Sequence, residues 1–197
     1  MPHHYFKIFK PYGYVSQFIT NDRHAKRKKF LGEFYNFPEG TMAVGRLDEP
    51  SEGLLLLTTD GNFSHSVRKK DIEKEYYVQV DGEITDQAIK NLQNGVTITN
   101  EDKDYVTLPS KVSLFKAEPN LPERAKKIRD SRHGPTSWIS VTVTEGKFRQ
   151  VRKMTSAVGF PTLRLVRFRI GNITIDGMAS AEVVEISETS IFKIASR

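Results

Sequence analysis

Alternation of apolar and polar positions is the main pattern along this chain, and it predicts β-strands. Apolar side chains recur at about every second position in residues 4–11 (HYFKIFKP), 74–84 (KEYYVQVDGEI) and 137–146 (SWISVTVTEG), which is the period of a strand with one buried face. Residues 54–59 (LLLLTT) open with four leucines and are followed by Asp60-Gly61, so they predict a strand buried on both faces. Further strands are predicted at residues 96–100, 162–171 and 172–177.

Three segments predict helices that would flank this sheet. Asp60 can cap a short helix in which Phe63 and Val67 lie on one face. Residues 85–95 (TDQAIKNLQNG) have a threonine cap and a terminal glycine, and residues 149–159 (RQVRKMTSAVG) also close on glycine. A long loop is predicted at residues 116–135, which are polar and contain prolines. The pattern as a whole favours an α+β fold with a mixed or antiparallel sheet.

The amino-acid composition excludes several classes of chemistry. The 197 residues include no cysteine, which rules out disulfides, thiolate metal sites and cysteine nucleophiles. The five histidines show no metal-ligand spacing, so we expect no metal site. The sequence shows neither a bilayer-spanning stretch nor a signal-peptide pattern, and we therefore expect a cytoplasmic protein.

Positive charge is concentrated in five segments of the chain. Lys and Arg number 30 against 24 Asp and Glu, which gives a net charge of +6 and a pI near 9.4. The basic segments are residues 23–29 (RHAKRKK), 67–70 (VRKK), 123–133 (ERAKKIRDSRH), 147–153 (KFRQVRK) and 163–169 (LRLVRFR). Any one of them could be solvated surface, but their recurrence, with Phe, Leu and Val interleaved, favours a surface that follows a phosphate backbone.

Asp48 is the strongest candidate for chemistry. It lies in a loop within residues 44–61 (VGRLDEPSEGLLLLTTDG), where nearby glycines permit close approach of a ligand. A lone loop aspartate is more often a turn residue, but Arg46 accompanies this one beside a buried run, where charges need partners. Glu52 raises the alternative of a glycosidase-type acid pair. We reject that alternative because the proline and glycine that flank Ser51-Glu52 oppose the helix that would align the two carboxylates.

The order of residues around Asp48 resembles the signature of the pseudouridine synthases of the ribosomal small-subunit type. That signature reads approximately GRLD, two residues, Thr or Ser, one residue, GLLLLT, one residue and DG, and the chain has GRLDEPSEGLLLLTTDG. Four other segments match motifs of this family: KPYGYVSQF, KEYYVQVDG, EGKFRQVRKMTSAVG and LVRFRIGNI. The departures from the family pattern are small. Ser51 stands where the family usually has Thr, and the family's C-terminal pattern is less distinct in MASAEVVEISETS.

The resemblance implies the pseudouridine synthase fold, a mixed and mostly antiparallel sheet in two lobes with flanking helices and a central catalytic cleft. Residues 1–197 would form a single catalytic domain without a separate S4-type RNA-binding domain. The activity implied is isomerisation of a specific uridine in large-subunit (23S) ribosomal RNA, because the similarity is greatest to the branch that modifies that RNA. We expect no cofactor, a monomer, and large-subunit ribosomal RNA or an assembling ribosomal particle as partner.

The resemblance also implies roles for individual residues. Asp48 matches the aspartate that attacks the flipped uridine, at C1′ or at C6. Tyr76 matches the tyrosine that packs on the target base and can take the C5 proton, and Arg152 matches the basic residue that pairs with the aspartate. Such a set suits the chemistry, since an arginine keeps a carboxylate ionised and an aromatic ring receives a base withdrawn from its stack. The RNA-binding residues expected are Arg46, Leu47, Lys74, Arg149, Lys153 and Arg167.

Each of these assignments has a structural alternative. Tyr76 and Tyr77 alternate on a predicted strand, so either could be a packing residue. Arg152 by itself could be a phosphate contact. For the whole protein, the alternative is a basic RNA-binding or ribosome-assembly factor that keeps the fold without the activity. The joint presence of Asp48, Tyr76 and Arg152 favours the enzyme.

Overall fold

The computed structural model describes residues 2–19, 28–68 and 72–187 of the chain. Within these ranges the chain forms eleven strands and three α-helices. The strands are β1 (Tyr5–Lys10), β2 (Met42–Val44), β3 (Glu52–Thr58), β4 (Lys74–Asp81), β5 (Thr97–Asn100), β6 (Lys103–Val106), β7 (Lys111–Leu114), β8 (Thr136–Val143), β9 (Thr162–Ile170), β10 (Ile173–Thr174) and β11 (Val183–Glu185). The helices are α1 (Gly61–Val67), α2 (Asp86–Asn94) and α3 (Gln150–Ala157).

Nine of the described strands form one mixed sheet. Its order is β11-β1-β3-β9-β4-β8-β7, with β2 added beside β3 and β10 beside β9. The pairing of β3 with β9 is parallel, whereas the other pairs in the described sheet are antiparallel. The expected α+β fold with a mixed, mostly antiparallel sheet and flanking helices is therefore confirmed. Strands β5 and β6 pair separately as a hairpin.

The leucine run forms a strand buried on both faces, as its composition predicts. Leu54 and Leu56 pack into one apolar cluster with helix α1, and Leu55 and Leu57 pack into another with Phe6 and other apolar side chains. All seven residues of β3 are buried. Because successive side chains of a strand point to opposite faces, this one strand contributes to two apolar layers and places the Asp48 loop at its start.

The helices cover opposite faces of the sheet. Phe63 of α1 belongs to the same cluster as Val166 of β9, while Met154 of α3 belongs to the same cluster as the preceding residue of that strand, Leu165. The predicted helix starts are confirmed: the Asp60 side chain accepts hydrogen bonds from backbone N–H groups of α1, and Thr85 caps α2 in the same way. None of the described helices has the length and apolar composition to cross a membrane.

Four short strands were not predicted from the alternation pattern. They are β2, β6, β7 and β11, each of three or four residues, and several of their positions are exposed. So short a segment contains too few positions to display a period. Strand β4 ends at Asp81, before the predicted end at residue 84, because Gly82 adopts a positive φ of 87° and turns the chain.

Residues 116–135 form the predicted long connection, with one 3-10 turn at Ser131–His133. Two arginines attach this connection to the rest of the fold. Arg124 pairs with Glu52, and Arg129 pairs with Asp81. Two of the basic segments noted in the sequence extend outside the described residues, at residues 23–27 and 69–70.

Candidate active site

Asp48 lies in a loop between β2 and β3 that opens onto a cleft. The loop turns tightly, since the Ser51 N–H donates to the Asp48 carbonyl at 2.9 Å. The Asp48 side chain retains 26% of its exposure, so its carboxylate is accessible from the cleft. The cavity measures about 530 Å³ and is lined by Val15, Ser16, Gln17, Lys28, Phe30, Arg46, Leu47, Asp48, Glu49, Pro50, Phe148 and Arg149.

The segment after β1 holds the backbone of the Asp48 loop. Ser16 Oγ donates to the Leu47 carbonyl at 2.8 Å and accepts from the Leu47 N–H at 2.9 Å. The Gly13 N–H donates to the Glu49 carbonyl at 2.9 Å. The two residues that flank Asp48 are therefore hydrogen-bonded to a part of the chain more than 30 residues away, which fixes the position of the carboxylate.

Lys10 supports the same loop from beneath. Its side chain is completely buried, and its Nζ donates to the carbonyls of Pro11 at 3.0 Å, Tyr14 at 2.7 Å and Glu49 at 3.5 Å. Burial lowers the pKa of Lys10 to about 7, with Arg167 adding to the decrease and Glu52 opposing it. No site role was predicted for Lys10 or Ser16, although both lie in the KPYGYVSQF motif.

The arginine that pairs with Asp48 is Arg149. Its Nη1 lies 3.3 Å from Asp48 Oδ2, and it precedes α3 in the left-handed conformation with φ of 52°. Arg152 was expected to form this pair, and in the structure it does not. Its Nη2 instead donates to the Pro50 carbonyl and to Ser51 Oγ, both at 3.1 Å.

Arg152 nevertheless contributes positive charge close to the carboxylate. Burial, followed by the nearby Arg149 guanidinium, lowers the pKa of Arg152 to about 10, while Asp48 acts in the opposite direction. At neutral pH the side chain is therefore cationic. Arg149 supplies the direct ion pair, and Arg152 holds the Pro50-Ser51 side of the loop while adding to the positive field.

The start of α3 is held by the buried carboxylate of Glu145. This group accepts hydrogen bonds from the Leu108 N–H at 2.9 Å, from Gln150 Nε2 at 2.6 Å and from the Tyr105 hydroxyl. Gln150 Oε1 in turn accepts from the Lys147 N–H at 2.9 Å. These contacts position the segment that carries Arg149. Glu145 and Gln150 belong to the EGKFRQ motif in the sequence, but the motif did not predict these contacts.

Tyr76 faces the cleft and Tyr77 faces the other side of the sheet. A smaller cavity of about 80 Å³ beside the main one is lined by Tyr76 together with Asp48, Leu47 and Arg149. Tyr77 stacks on Phe168, with ring centroids 4.3 Å apart. Strand alternation thus selects Tyr76 as the tyrosine at the site, although it also packs against two apolar clusters.

The expected RNA-binding residues separate into exposed and buried groups. Arg46 is exposed and lines both cavities, and Leu47 is buried beneath them. Arg167 is only 4% exposed, and its guanidinium donates to the carbonyl groups of Leu54 at 2.7 Å and Arg46 at 3.4 Å. The RNA contact expected of Arg167 stays a prediction, although its guanidinium is directed into the protein.

Lys74 and Lys153 also use their ammonium groups inside the protein. Lys74 Nζ donates to the carbonyls of Ile72 at 2.9 Å and Thr144 at 3.3 Å, and burial lowers its pKa. Lys74 is half-buried, and the RNA contact expected there stays a prediction. Lys153 Nζ donates to the Thr99 carbonyl at 2.7 Å, so an RNA contact there is untested and would require this bond to be shared.

Glu52 is not a second acid of the site. Its carboxylate is 2% exposed and is bound by Arg164 at 3.0 and 3.1 Å and by Arg124 at 3.1 Å. Both carboxylate oxygens of Glu52 are therefore occupied by guanidinium groups. In the described part of the chain, no group of three or more histidine or carboxylate side chains is arranged to hold a metal ion.

Comparison with known proteins gives a consistent result. The model of the RNA pseudouridylate synthase family matches residues 4–157. Ribosomal large subunit pseudouridine synthase E of Xanthomonas campestris is 44% identical over 165 residues, which cover 82% of this chain and 84% of the relative. The protein of the same name from Vibrio parahaemolyticus is 40% identical over 179 residues, or 90% of this chain and 71% of that one.

A solved structure extends the agreement to the fold. The crystal structure of a pseudouridylate synthase superimposes with a TM-score of 0.76 at 24% identity, covering 98% of this chain and 74% of the other. The resemblance in the five motifs and the expected fold are thus confirmed. The chain belongs to the RNA pseudouridylate synthase family.

Proposed function

We propose that this protein converts a specific uridine of large-subunit ribosomal RNA into pseudouridine, with Asp48 as nucleophile. The observation that carries the proposal is the Asp48 carboxylate, which pairs with Arg149 at 3.3 Å and lines both the main cavity and the smaller cavity that Tyr76 lines. The names of the most similar relatives support large-subunit ribosomal RNA as the substrate.

The reaction needs one ionised carboxylate and one aromatic face. Asp48 attacks the extruded uridine at C1′ or at C6, and the bond between N1 and C1′ breaks. The base turns while it is held, C5 bonds to C1′, and the bond between the substrate and Asp48 breaks. C5 loses a proton and N1 gains one, so the carboxylate is free again and the product is an isomer of the substrate. In this proposal Tyr76 packs on the base and accepts the C5 proton. No redox partner is needed, because the substrate and the product are isomers.

Arg149 and Arg152 suit the charge requirements of this reaction. A carboxyl group is nucleophilic only when it is ionised. A guanidinium group remains cationic at neutral pH, so the ion pair is not lost through deprotonation of the arginine. Arg149 holds the carboxylate directly, while Arg152 holds the backbone and hydroxyl groups that follow it. The carboxylate is thereby oriented before the substrate arrives, which removes part of the cost of reaching the reactive geometry.

The rim of the cleft is suited to a phosphate backbone. Lys28, Arg46 and Arg149 line it, and each of them is exposed. Cations on such a rim neutralise phosphates and position the strand without reading its sequence. We further propose that the protein acts as a cytoplasmic monomer. Its substrate would be the free ribosomal RNA or an assembling ribosomal particle.

Tritium release from RNA labelled at uridine C5 tests the proposal, because isomerisation expels the C5 hydrogen. The wild-type protein should release label from large-subunit ribosomal RNA, and Asp48→Asn should bind the RNA yet release none. Asp104→Asn is the matched control, since Asp104 is exposed on β6 and should leave release unchanged. Binding without release by the wild type would instead support the RNA-binding or assembly factor, and equal release by Asp48→Asn would refute the role of Asp48.

A further inference from the structure

Phe148 is a large apolar side chain exposed at the edge of the active-site cleft. It retains 67% of its exposure, and it lines the same cavity as Asp48 and Arg149. A single exposed apolar residue needs no explanation on a general surface. An exposed ring in the same cavity as the proposed nucleophile of a base-modifying enzyme is different, because it offers an aromatic face to unpaired bases there.

The position of the ring is held by its neighbours. Phe148 lies between Lys147, whose N–H donates to the Gln150 side chain at 2.9 Å, and Arg149, which starts α3 in the left-handed conformation. Lys153 Nζ lies 5.3 Å from the centroid of the Phe148 ring while it donates to the Thr99 carbonyl. This cation–π contact favours a defined ring orientation, although most of the ring surface is open to solvent.

The cleft has a second aromatic wall and cations on its rim. Phe30 lines the same cavity as Phe148, together with Lys28 and Arg46. Alternating aromatic and cationic groups are the pattern by which proteins bind single-stranded nucleic acid, with bases stacked on rings and phosphates near the charges. Tyr76 borders the smaller inner cavity, so the two rings are placed to serve different bases.

We propose that Phe148 is a stacking platform for an unpaired base that flanks the target uridine. The inference rests on the proposed function, since withdrawing one nucleotide from its stack leaves its neighbours without a stacking partner. An aromatic face replaces that partner for any base, because every base has a π-face. Phe148 would therefore contribute to RNA affinity and to the stability of the extruded state without taking part in bond making.

Fluorescence of a tryptophan at position 148 tests the contact directly. Trp138 is the one tryptophan of the chain. In the double variant Trp138→Phe, Phe148→Trp, all tryptophan fluorescence therefore comes from position 148 in the cleft. Single-stranded RNA of mixed sequence should quench its emission by stacking. A tryptophan placed at Leu114, which is 51% exposed on the edge strand β7, is the control and should not respond. Unchanged emission from position 148 at saturating RNA would overturn the proposal.

Kinetics separate stacking from simple apolar contact. Phe148→Ala should weaken RNA binding roughly 5- to 150-fold, the range for loss of one base–aromatic stack, and raise KM more than it lowers kcat. Phe148→Leu should also be impaired, whereas Phe148→Trp should retain wild-type affinity. Thermal stability should be unchanged, because the ring is exposed.

The two hypotheses can fail separately. Wild-type affinity and KM in Phe148→Ala, measured on a transcript of large-subunit ribosomal RNA, would refute the stacking role while leaving the isomerase intact. Absence of tritium release from the wild-type protein would refute the isomerase, and the fluorescence response would still show whether position 148 contacts RNA. Impairment of Phe148→Trp to the level of Phe148→Leu would also count against stacking.

Discussion

Arg149 Nη1 lies 3.3 Å from Asp48 Oδ2, which joins two residues that are 101 positions apart in the chain. The pair brings together the loop before β3 and the first turn of α3. Arg152, one turn further along α3, contacts the backbone and the hydroxyl group that follow Asp48. The two arginines therefore have different tasks, one acting on the carboxylate and the other on the loop that carries it.

Replacement of Arg149 should impair activity more than stability. We expect Arg149→Met to lower kcat/KM by about 10²-fold, the order found when one preorganised charged donor is removed, because Asp48 loses its direct cation. The free energy of unfolding should change by less than about 1 kcal/mol, since the pair is partly exposed. Lys103→Met on the exposed β6 hairpin is the control. Full activity in Arg149→Met would show that the ion pair is dispensable.

Loss of the Ser51 hydroxyl should destabilise the catalytic loop. Ser51 is buried and accepts a bond from Arg152, so Ser51→Ala should lower the free energy of unfolding by about 1.5–3 kcal/mol, as for a hydrogen bond to a charged group. Urea denaturation measures this change. Ser51→Thr keeps the hydroxyl and should remain close to wild type. If the effects of Ser51→Ala and Arg152→Met simply add in the double variant, the two groups are not coupled.

Removal of the Glu52 charge should strongly destabilise the protein. Glu52→Gln leaves Arg124 and Arg164 without a counter-charge, and we expect a loss of about 3–5 kcal/mol in the free energy of unfolding. Glu101→Gln, at an exposed position, is the control.

The ion pair between Arg124 and Glu52 should hold residues 116–135 against the rest of the fold. Arg124→Ala should release this connection and increase its cleavage by trypsin, with a smaller loss of global stability because Arg164 still neutralises Glu52. Cleavage at the wild-type rate would mean that Arg124 does not restrain the segment.

Lys10 should make stability depend on pH above neutrality. Its pKa is about 7 in the folded protein against an ordinary value of 10.5, so between these values the unfolded chain binds more protons than the folded one. Stability due to this group therefore rises with pH across that window, by roughly 5 kcal/mol in full. The cost of burying the charge is fully present below about pH 7.

A comparison with Lys10→Met isolates this effect from other titrating groups. The variant loses the donor to three carbonyls and should be less stable than wild type. The difference in free energy of unfolding should grow as pH rises from about 7 to about 10. A difference that is constant over this range would show that Lys10 titrates close to its ordinary pKa.

The longer strands and helices were predicted well from the sequence. Apolar patterns and end residues identified the longer elements, because burial of one face imposes its period on the amino-acid sequence. These elements are the strands β1, β3, β4, β8 and β9 and the helices α1, α2 and α3. The segment β7 (KVSL) was missed because four residues cannot display a period. Its strand conformation depends on pairing with β8, which is a partner distant in sequence.

Residue type and local order were enough to select Asp48 as a candidate and to locate the basic segments, whereas Tyr76 was selected through the family resemblance. The sequence could not tell which cations face solvent. Arg46 and Arg149 reach the cleft, while Arg167 and Lys74 donate to internal carbonyls, although all four are equally charged in the sequence. Side-chain direction and hydrogen-bond partners depend on strand register and on contacts between distant segments, and these are properties of the folded chain alone.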